Sequence, residues 1–430
     1  MRNPKGASSC ANQLQERLLA ARTVYPILLA SSLRSSICLV MQGMFRSPMN
    51  QKGASLVLDR NRVKRALAMA AVVAGLCACE APMTLAQVEQ SGPRTTEHQL
   101  TQPERSEVIN ALLKWMESDY ILPDVAKQMA QAVREHQAKH EYDSITGGEQ
   151  FAKTLTHDLQ AVSHDHHLGV DYSVEPVSDR PMDEPSPEDI RKFRLAGERR
   201  NFAYLKVEAL QGGVGLLQVD GFYPAEYVCE IVAGAAGFLS HTDAVILDFR
   251  QNHGGMLDGP LLLQSYFFTE MTHISDSYNR AENTTRQFWT MPVVPGPSLA
   301  DKDLYILTSH DTFSAPEAFA YDMQALGRAK IVGEVTGGGA HGTKPYRLSA
   351  HFIVSIPFNR GISAVTHTDY EGVGVKPDVQ VPAKEALLTA HILALRGVLA
   401  RTTGEPERKA ELEKLIGELE AKLKSGNVEE

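Results

Sequence analysis

The chain has 430 residues, 43% of them hydrophobic, and a formal net charge of -9. That length allows two or three domains with sizeable cores. The acidity is ordinary for solubility, and no basic block points to nucleic acid as a partner.

The first residues read as a leader rather than a fold. Arg60 to Arg65 is basic, Ala66 to Ala78 is an apolar run too short to span a bilayer comfortably, and Thr84-Leu85-Ala86 offers a small-residue cleavage site before Gln87. Together they predict a secretory signal peptide behind an extension, with Met41, Met44 and Met49 as alternative starts. Leu76 to Cys79 also resembles a bacterial lipobox, so simple cleavage and a lipid anchor at Cys79 both stay open, as does an uncleaved, membrane-anchored form. Of Cys10, Cys38, Cys77, Cys79 and Cys229, only Cys229 lies beyond the cleavage site, which leaves no internal disulfide in the mature chain. A periplasmic protein held by its core fits that pattern.

The expected organisation is an extension and signal peptide over 1–86, a polar linker over 87–103 and a helical N-terminal domain over 104–172. A linker with a polar helix covers 173–200, an α/β domain 201–398, and a C-terminal helix 399–430. In the helical unit Val108, Leu112, Leu113 and Met116 share one face, as do Val125, Met129 and Val133. Ile121 to Pro123 breaks the first helix from the second, and Phe151 to Leu159 forms a third. His164-Asp-His-His167 invites a metal reading, but adjacent histidines rarely face one ion. It reads better as a loop capping the next strand.

Beyond Asn201, strands and helices alternate. Val214 to Val219 and Ala244 to Phe249 are strands, with helices over Pro224 to Leu239 and Gly259 to Phe268. The strand Leu304 to Leu307 leads to a helix over Ala315 to Leu326, followed by strands at Lys330 to Gly333, Tyr346 to Ser349 and Phe352 to Ile356. This argues α/β layering with a partly parallel core. Pro406 to Leu423 is a charged helix with Leu412, Leu415, Leu419 and Leu423 on one stripe; docking on the domain is the main reading and a dimer contact the minor one.

Ser314 falls where a strand turns into a helix, beside N–H groups left unpaired at the helix start. That suits a nucleophile whose reaction builds an oxyanion. The plainer reading is an N-cap, with Glu317 completing a capping box. Three further segments share its region: Asp248-Phe-Arg-Gln-Asn-His-Gly-Gly255, Gly333-Glu-Val-Thr-Gly-Gly-Gly-Ala340 and Tyr370-Glu-Gly-Val-Gly-Val-Lys-Pro-Asp378. Loops at the carboxyl ends of strands in open α/β sheets tend to meet at one site.

In this order the four segments resemble peptidase family S41, which includes tail-specific (C-terminal processing) proteases, the tricorn core protease and interphotoreceptor retinoid-binding protein repeats. The resemblance covers about Gly213 to Val381, with a weaker match in the helical unit and at His167 to Val170. It implies a crotonase-like α/β core behind a helical bundle, a peptide or protein substrate, and no cofactor or metal. Ser314 takes the nucleophile position, the amides of Ala315 and of Gly254 or Gly255 take the oxyanion-hole positions, and Asp248, Arg250 and Asn252 look like scaffold. Tail-specific proteases activate serine with a lysine in the third loop, where this chain has Gly339. Tricorn-type members use a histidine where this chain has Gln218, and their distal glutamate is similar to Glu371. His341, Lys344, His253 and His310 are the remaining candidate bases, with His341 preferred because it follows the same glycine loop. The stretch Glu175 to Gly213 is too short for a PDZ domain, placing the chain nearer the PDZ-less branch. The resemblance implies an exported serine peptidase. A non-catalytic binder of a hydrophobic ligand or peptide on the same fold is the alternative.

Overall fold

The computed structural model describes residues 99–182 and 184–426. The expected leader, the lipobox at Cys79 and most of the 87–103 linker lie outside the described residues. The periodic stretch after Glu104 becomes three helices: α1 (Gln102–Asp119), α2 (Pro123–Ala138) and α3 (Gly148–Ser163). Thr101 caps α1, its backbone N–H donating to Glu104 at 2.7 Å. Pro123 starts α2 at a position where a missing N–H costs nothing. Val108, Leu112, Met116, Met129, Val133, Phe151 and Leu155 are completely buried between these helices. The same cluster contains Phe352, Val354 and Ile356 from a later strand, so this helical unit completes its core with chain from the α/β region. A short strand β1 (Gly169–Tyr172) and the polar helix α4 (Pro187–Glu198) follow, with no sheet module between them.

The α/β region holds two sheets. The first has β2 (Tyr204–Leu210), β3 (Val214–Val219), β4 (Ala244–Asp248), β7 (Asp303–Thr308), β8 (Lys330–Gly333) and β11 (Val379–Gln380), in the order β11-β8-β7-β4-β3-β2. All neighbours are parallel except the edge pair β2–β3. Side chains alternate between faces. Val245 and Leu247 of β4 join the core under helices α5 (Ala225–Leu239), α6 (Asp258–Ser265) and α7 (Ala315–Ala325). Ala244 and Ile246 pack against α8 (Ala383–Arg401) and α9 (Pro406–Lys424). Leu412 is buried there, with Leu415, Leu419 and Leu423 packed beside it, so the C-terminal helix docks on its own domain.

The second sheet joins β1, β5 (His273–Asn279), β6 (Thr284–Trp289), β9 (His341–Arg347) and β10 (Phe352–Ser363), all antiparallel. The expected strands at Tyr346 to Ser349 and Phe352 to Ile356 fall on parts of β9 and β10, while sequence periodicity misses β2, β5, β6, β11 and α8. Only Ile274 is buried in β5 and no residue is buried in β6, so neither shows alternation. The apolar residues of α8 lie all round it, which erases the helical stripe. Among the described residues no helix is long and apolar enough to cross a membrane.

Candidate functional site

Three parallel strands, β4, β7 and β8, end side by side, and the loops that leave their carboxyl ends carry three of the four segments singled out in the sequence. Ser314 lies at the N-cap of α7 with φ 68° and ψ -119°. A non-glycine residue rarely holds that conformation, which costs on the order of 1–3 kcal/mol and persists only where its surroundings fix it. Glu317 supplies much of the fixing. Its carboxylate accepts the Ser314 N–H at 2.7 Å, the Gly338 N–H at 2.7 Å, the Gly339 N–H at 2.9 Å and the Thr336 hydroxyl. Burial pushes the Glu317 carboxyl up, and these four donors hold back part of that rise. The Glu317 half of the expected capping box therefore exists, but the residue also clamps the serine turn to the third glycine loop.

The first loop is built to approach the serine. Arg250 grips Asp248 through Nε at 2.9 Å and Nη2 at 2.8 Å. Asn252 is fully buried; its amide donates to the Val219 carbonyl at 3.0 Å, and its oxygen accepts the Gly254 N–H at 3.0 Å. Gly254 and Gly255 have φ values of 116° and 138°. A Cβ on Gly255 would lie 2.0 Å from the Phe222 carbonyl oxygen, and one on Gly254 would lie 3.0 Å from the Ser314 Cβ. Only glycine permits this approach. The Gly254 N–H is committed to Asn252. The N–H groups of Gly255 and Ala315 have no hydrogen-bond partner among the described residues.

Two imidazoles line the same cavity of about 500 Å³ as Ser314: His167 and His341. His341 Nδ1 lies 2.8 Å from Asp165 and 3.6 Å from Glu371. Burial works to lower its pKa, but the hydrogen bond to Asp165 and the Glu371 and Asp165 charges prevail and raise it. Asp165 moves the opposite way: burial works to raise it, and His341 draws it down. The pair is therefore ionic, and Tyr120 donates its hydroxyl to Asp165 at 3.1 Å. Glu371 accepts the Ala340 N–H at 2.5 Å and the His341 N–H at 3.2 Å, while burial pushes its carboxyl up to about 7. Asp165, His341 and Glu371 each bring one potential metal-ligand atom within 4.8 Å of the others. Asp165 Oδ2 and Glu371 Oε2 accept the hydrogen bonds just described, while Glu371 Oε1 is buried without a hydrogen-bond partner among the described residues.

His167 differs. Burial lowers its pKa to about 4, leaving the ring neutral, and its Nδ1 is buried without a partner. The ring sits 4.4 Å from the ring of Phe313, the residue before Ser314. A Cβ placed on Gly339 would lie 2.5 Å from His167 Cε1. The imidazole thus fills the space where a side chain on Gly339 would leave the backbone. The expected strand-capping role of the His164–His167 segment omits this. The available signal was Gly339 itself, because a missing side chain in a buried loop leaves room that another segment must fill.

The remaining candidates stand apart. His310 is exposed and lies 3.9 Å from Glu334. Lys344 lies over the Tyr346 ring, and Gln218 bonds to Asp220. Neither these residues nor His253 line the cavity.

The profile of peptidase family S41 matches residues 213–381, and that of the N-terminal domain of Peptidase_S41 in eukaryotic IRBP matches residues 100–195. A carboxyl-terminal-processing protease of Synechocystis sp. is 28% identical over 136 residues, which spans 32% of this chain and 30% of that protein. Among solved structures, a lipoprotein from Streptococcus agalactiae is 12% identical, covers 69% of this chain and 98% of its own, and superposes with a TM-score of 0.48. The photosystem II D1 C-terminal processing protease is 13% identical and covers 66% and 94%, with a TM-score of 0.43. The tricorn protease is 13% identical and covers 74% and 37%, with a TM-score of 0.40. Both profiles fall in their expected places: residues 213–381, on the α/β core, match peptidase family S41, and residues 100–195, over the helical unit before it, match that family's N-terminal domain.

Proposed function

We propose that this protein is an exported serine peptidase in which Ser314 is the nucleophile and His167 the general base. The observation that carries the reading is the convergence on Ser314. Its strained backbone, two unpaired N–H groups and a neutral imidazole meet at one cavity. In the first step the Ser314 oxygen bonds to a peptide carbonyl carbon and its proton passes to His167. The negative oxygen is held by the Gly255 and Ala315 amides; losing one such donor costs about a hundredfold or more in rate. The imidazolium then returns the proton to the leaving amine as the C–N bond breaks. Water repeats the sequence on the acyl-enzyme, releasing the acid and restoring Ser314.

His167 is favoured over His341 by charge. A base must begin neutral; the Asp165 contact raises the His341 pKa, whereas burial lowers that of His167. In this reading His341, Asp165 and Glu371 support the cavity wall next to His167. Export rests on the leader pattern before Gln87 and on the single cysteine beyond it.

The test is labelling of the mature protein by an alkyl fluorophosphonate, which reports an activated serine. Wild type should label; Ser314→Ala and His167→Ala should not. Equal labelling of wild type and Ser314→Ala would return the chain to the alternative, a binding protein on this fold. Loss of labelling in His341→Ala but not in His167→Ala would move the base to His341.

A further inference from the structure

The cavity beside Ser314 continues along one face of α7. Ser314, Ala318 and Asp322 are four residues apart, which stacks them on that face, and all three line the cavity. Met256, Leu257, Leu261 and Phe288 add apolar lining to the same cavity. Asp322 is 6% exposed. Its side chain has a hydrogen bond with Ser275 and no ion-pair partner among the described residues.

The other carboxylates lining the cavity are provided for. Asp276 has His273 at 2.8 Å, and Asp369 has Arg360. Asp322 alone lacks a basic partner. Burial accordingly pushes its carboxyl well above the usual range. A buried carboxylate is expensive unless a cation accompanies it. Because Asp322 faces the cavity, a ligand can bring that cation.

The dimensions suit a particular ligand. Asp322 lies eight residue steps beyond Ser314, a rise of about 12 Å, and its side chain leans back toward the N-terminus. A lysine ammonium stands about 6 Å from its own Cα when extended, and the acyl carbon and serine oxygen add about 3 Å more. Those lengths meet near the carboxylate.

We propose that Asp322 is the specificity-determining residue of this cavity and selects substrates with lysine or arginine as the residue whose carbonyl Ser314 attacks. This rests on the reading of Ser314 as nucleophile. The apolar walls hold the methylene stem and Asp322 receives the charged head. Gln264, 4% exposed, adds an amide to the lining of the same cavity.

Two measurements separate this inference from the catalytic reading. Diphenyl phosphonates built on lysine and on norleucine present the same stem with and without the charge. Wild type should react with the lysine probe about tenfold faster or more, as expected for a close desolvated charge pair, and Asp322→Asn should abolish or reverse that ratio. Equal or faster reaction with norleucine overturns the inference while leaving Ser314 as nucleophile. So does a lysine preference that persists in Asp322→Asn. If an alkyl fluorophosphonate fails to label Ser314, the catalytic reading falls. The subsite is then decided by calorimetry of lysine and norleucine peptide amides on Ser314→Ala protein. A lysine preference lost in Ser314→Ala/Asp322→Asn supports the subsite, and no preference overturns it. Peptides carrying lysine only after the scissile bond should gain nothing; a gain there places the cation on the leaving side and refutes the assignment.

Discussion

Gly339→Ala adds a single methyl group between two rings. That Cβ would lie 2.4 Å from Phe313 Cζ and 2.5 Å from His167 Cε1. Carbon atoms in ordinary contact stand about 3.5–4.0 Å apart, so the His167 ring must retreat by about 1 Å. Misplacing a catalytic group by about 1 Å costs on the order of a hundredfold in rate. Overpacking a buried site costs about 1–3 kcal/mol in stability. The variant should therefore stay folded with a lowered Tm, while Ser314 labelling by the alkyl fluorophosphonate slows about a hundredfold. Gly234→Ala is the control. It lies within α5 with nothing within 4 Å of the added carbon, so it should leave labelling unchanged and the fold at least as stable. Combining Gly339→Ala with His167→Ala should recover part of the lost stability, because the clash is gone, without recovering labelling. If Gly339→Ala labels within about threefold of wild type, against the hundredfold expected of a displaced base, His167 lies outside the proton path and the argument from the space at Gly339 fails.

The pH dependence of labelling should show the same base. Imidazole accepts a proton only when neutral, which means above its pKa, so the rate should rise with pH through about 4 and stay level through neutrality. A rise centred above the ordinary 6.5 would point to His341, whose pKa is raised. Asn252→Ala frees the Gly254 N–H and orphans the buried Val219 carbonyl; urea titration should find a loss of about 1–3 kcal/mol, and labelling should slow as the Gly255 amide loses its support. Unchanged labelling would remove the first loop from the oxyanion hole. Leu412→Ala, in the core under α9, should cost about 2–5 kcal/mol without changing the labelling rate of the folded protein, and a negligible cost would mean that α9 does not dock as described.

The α/β alternation, the buried strand ending at Asp248 and the serine turn were legible in the chain because each carries a local signal. These are a period, an apolar run and glycines that permit tight turns. The family resemblance rested on the same short segments. The antiparallel sheet was not legible. Strands β5 and β6 bury almost nothing along their length and owe their existence to pairing, β5 with β10 and β6 with β5. The partnership around the serine was hidden for a related reason. Residues 167 and 339 are distant in sequence, and no local pattern reveals that the imidazole of one occupies the space left by the other. The same holds for Asp165 beside His341 and for Asp322, whose sequence neighbours mark it only as one more polar position in a helix. By itself the sequence determined most of the elements, the serine turn and the resemblance to the family. Only the tertiary structure decided which charges are buried, which are paired and which imidazole stays neutral, because those properties depend on solvent exclusion by chain segments far apart in the sequence.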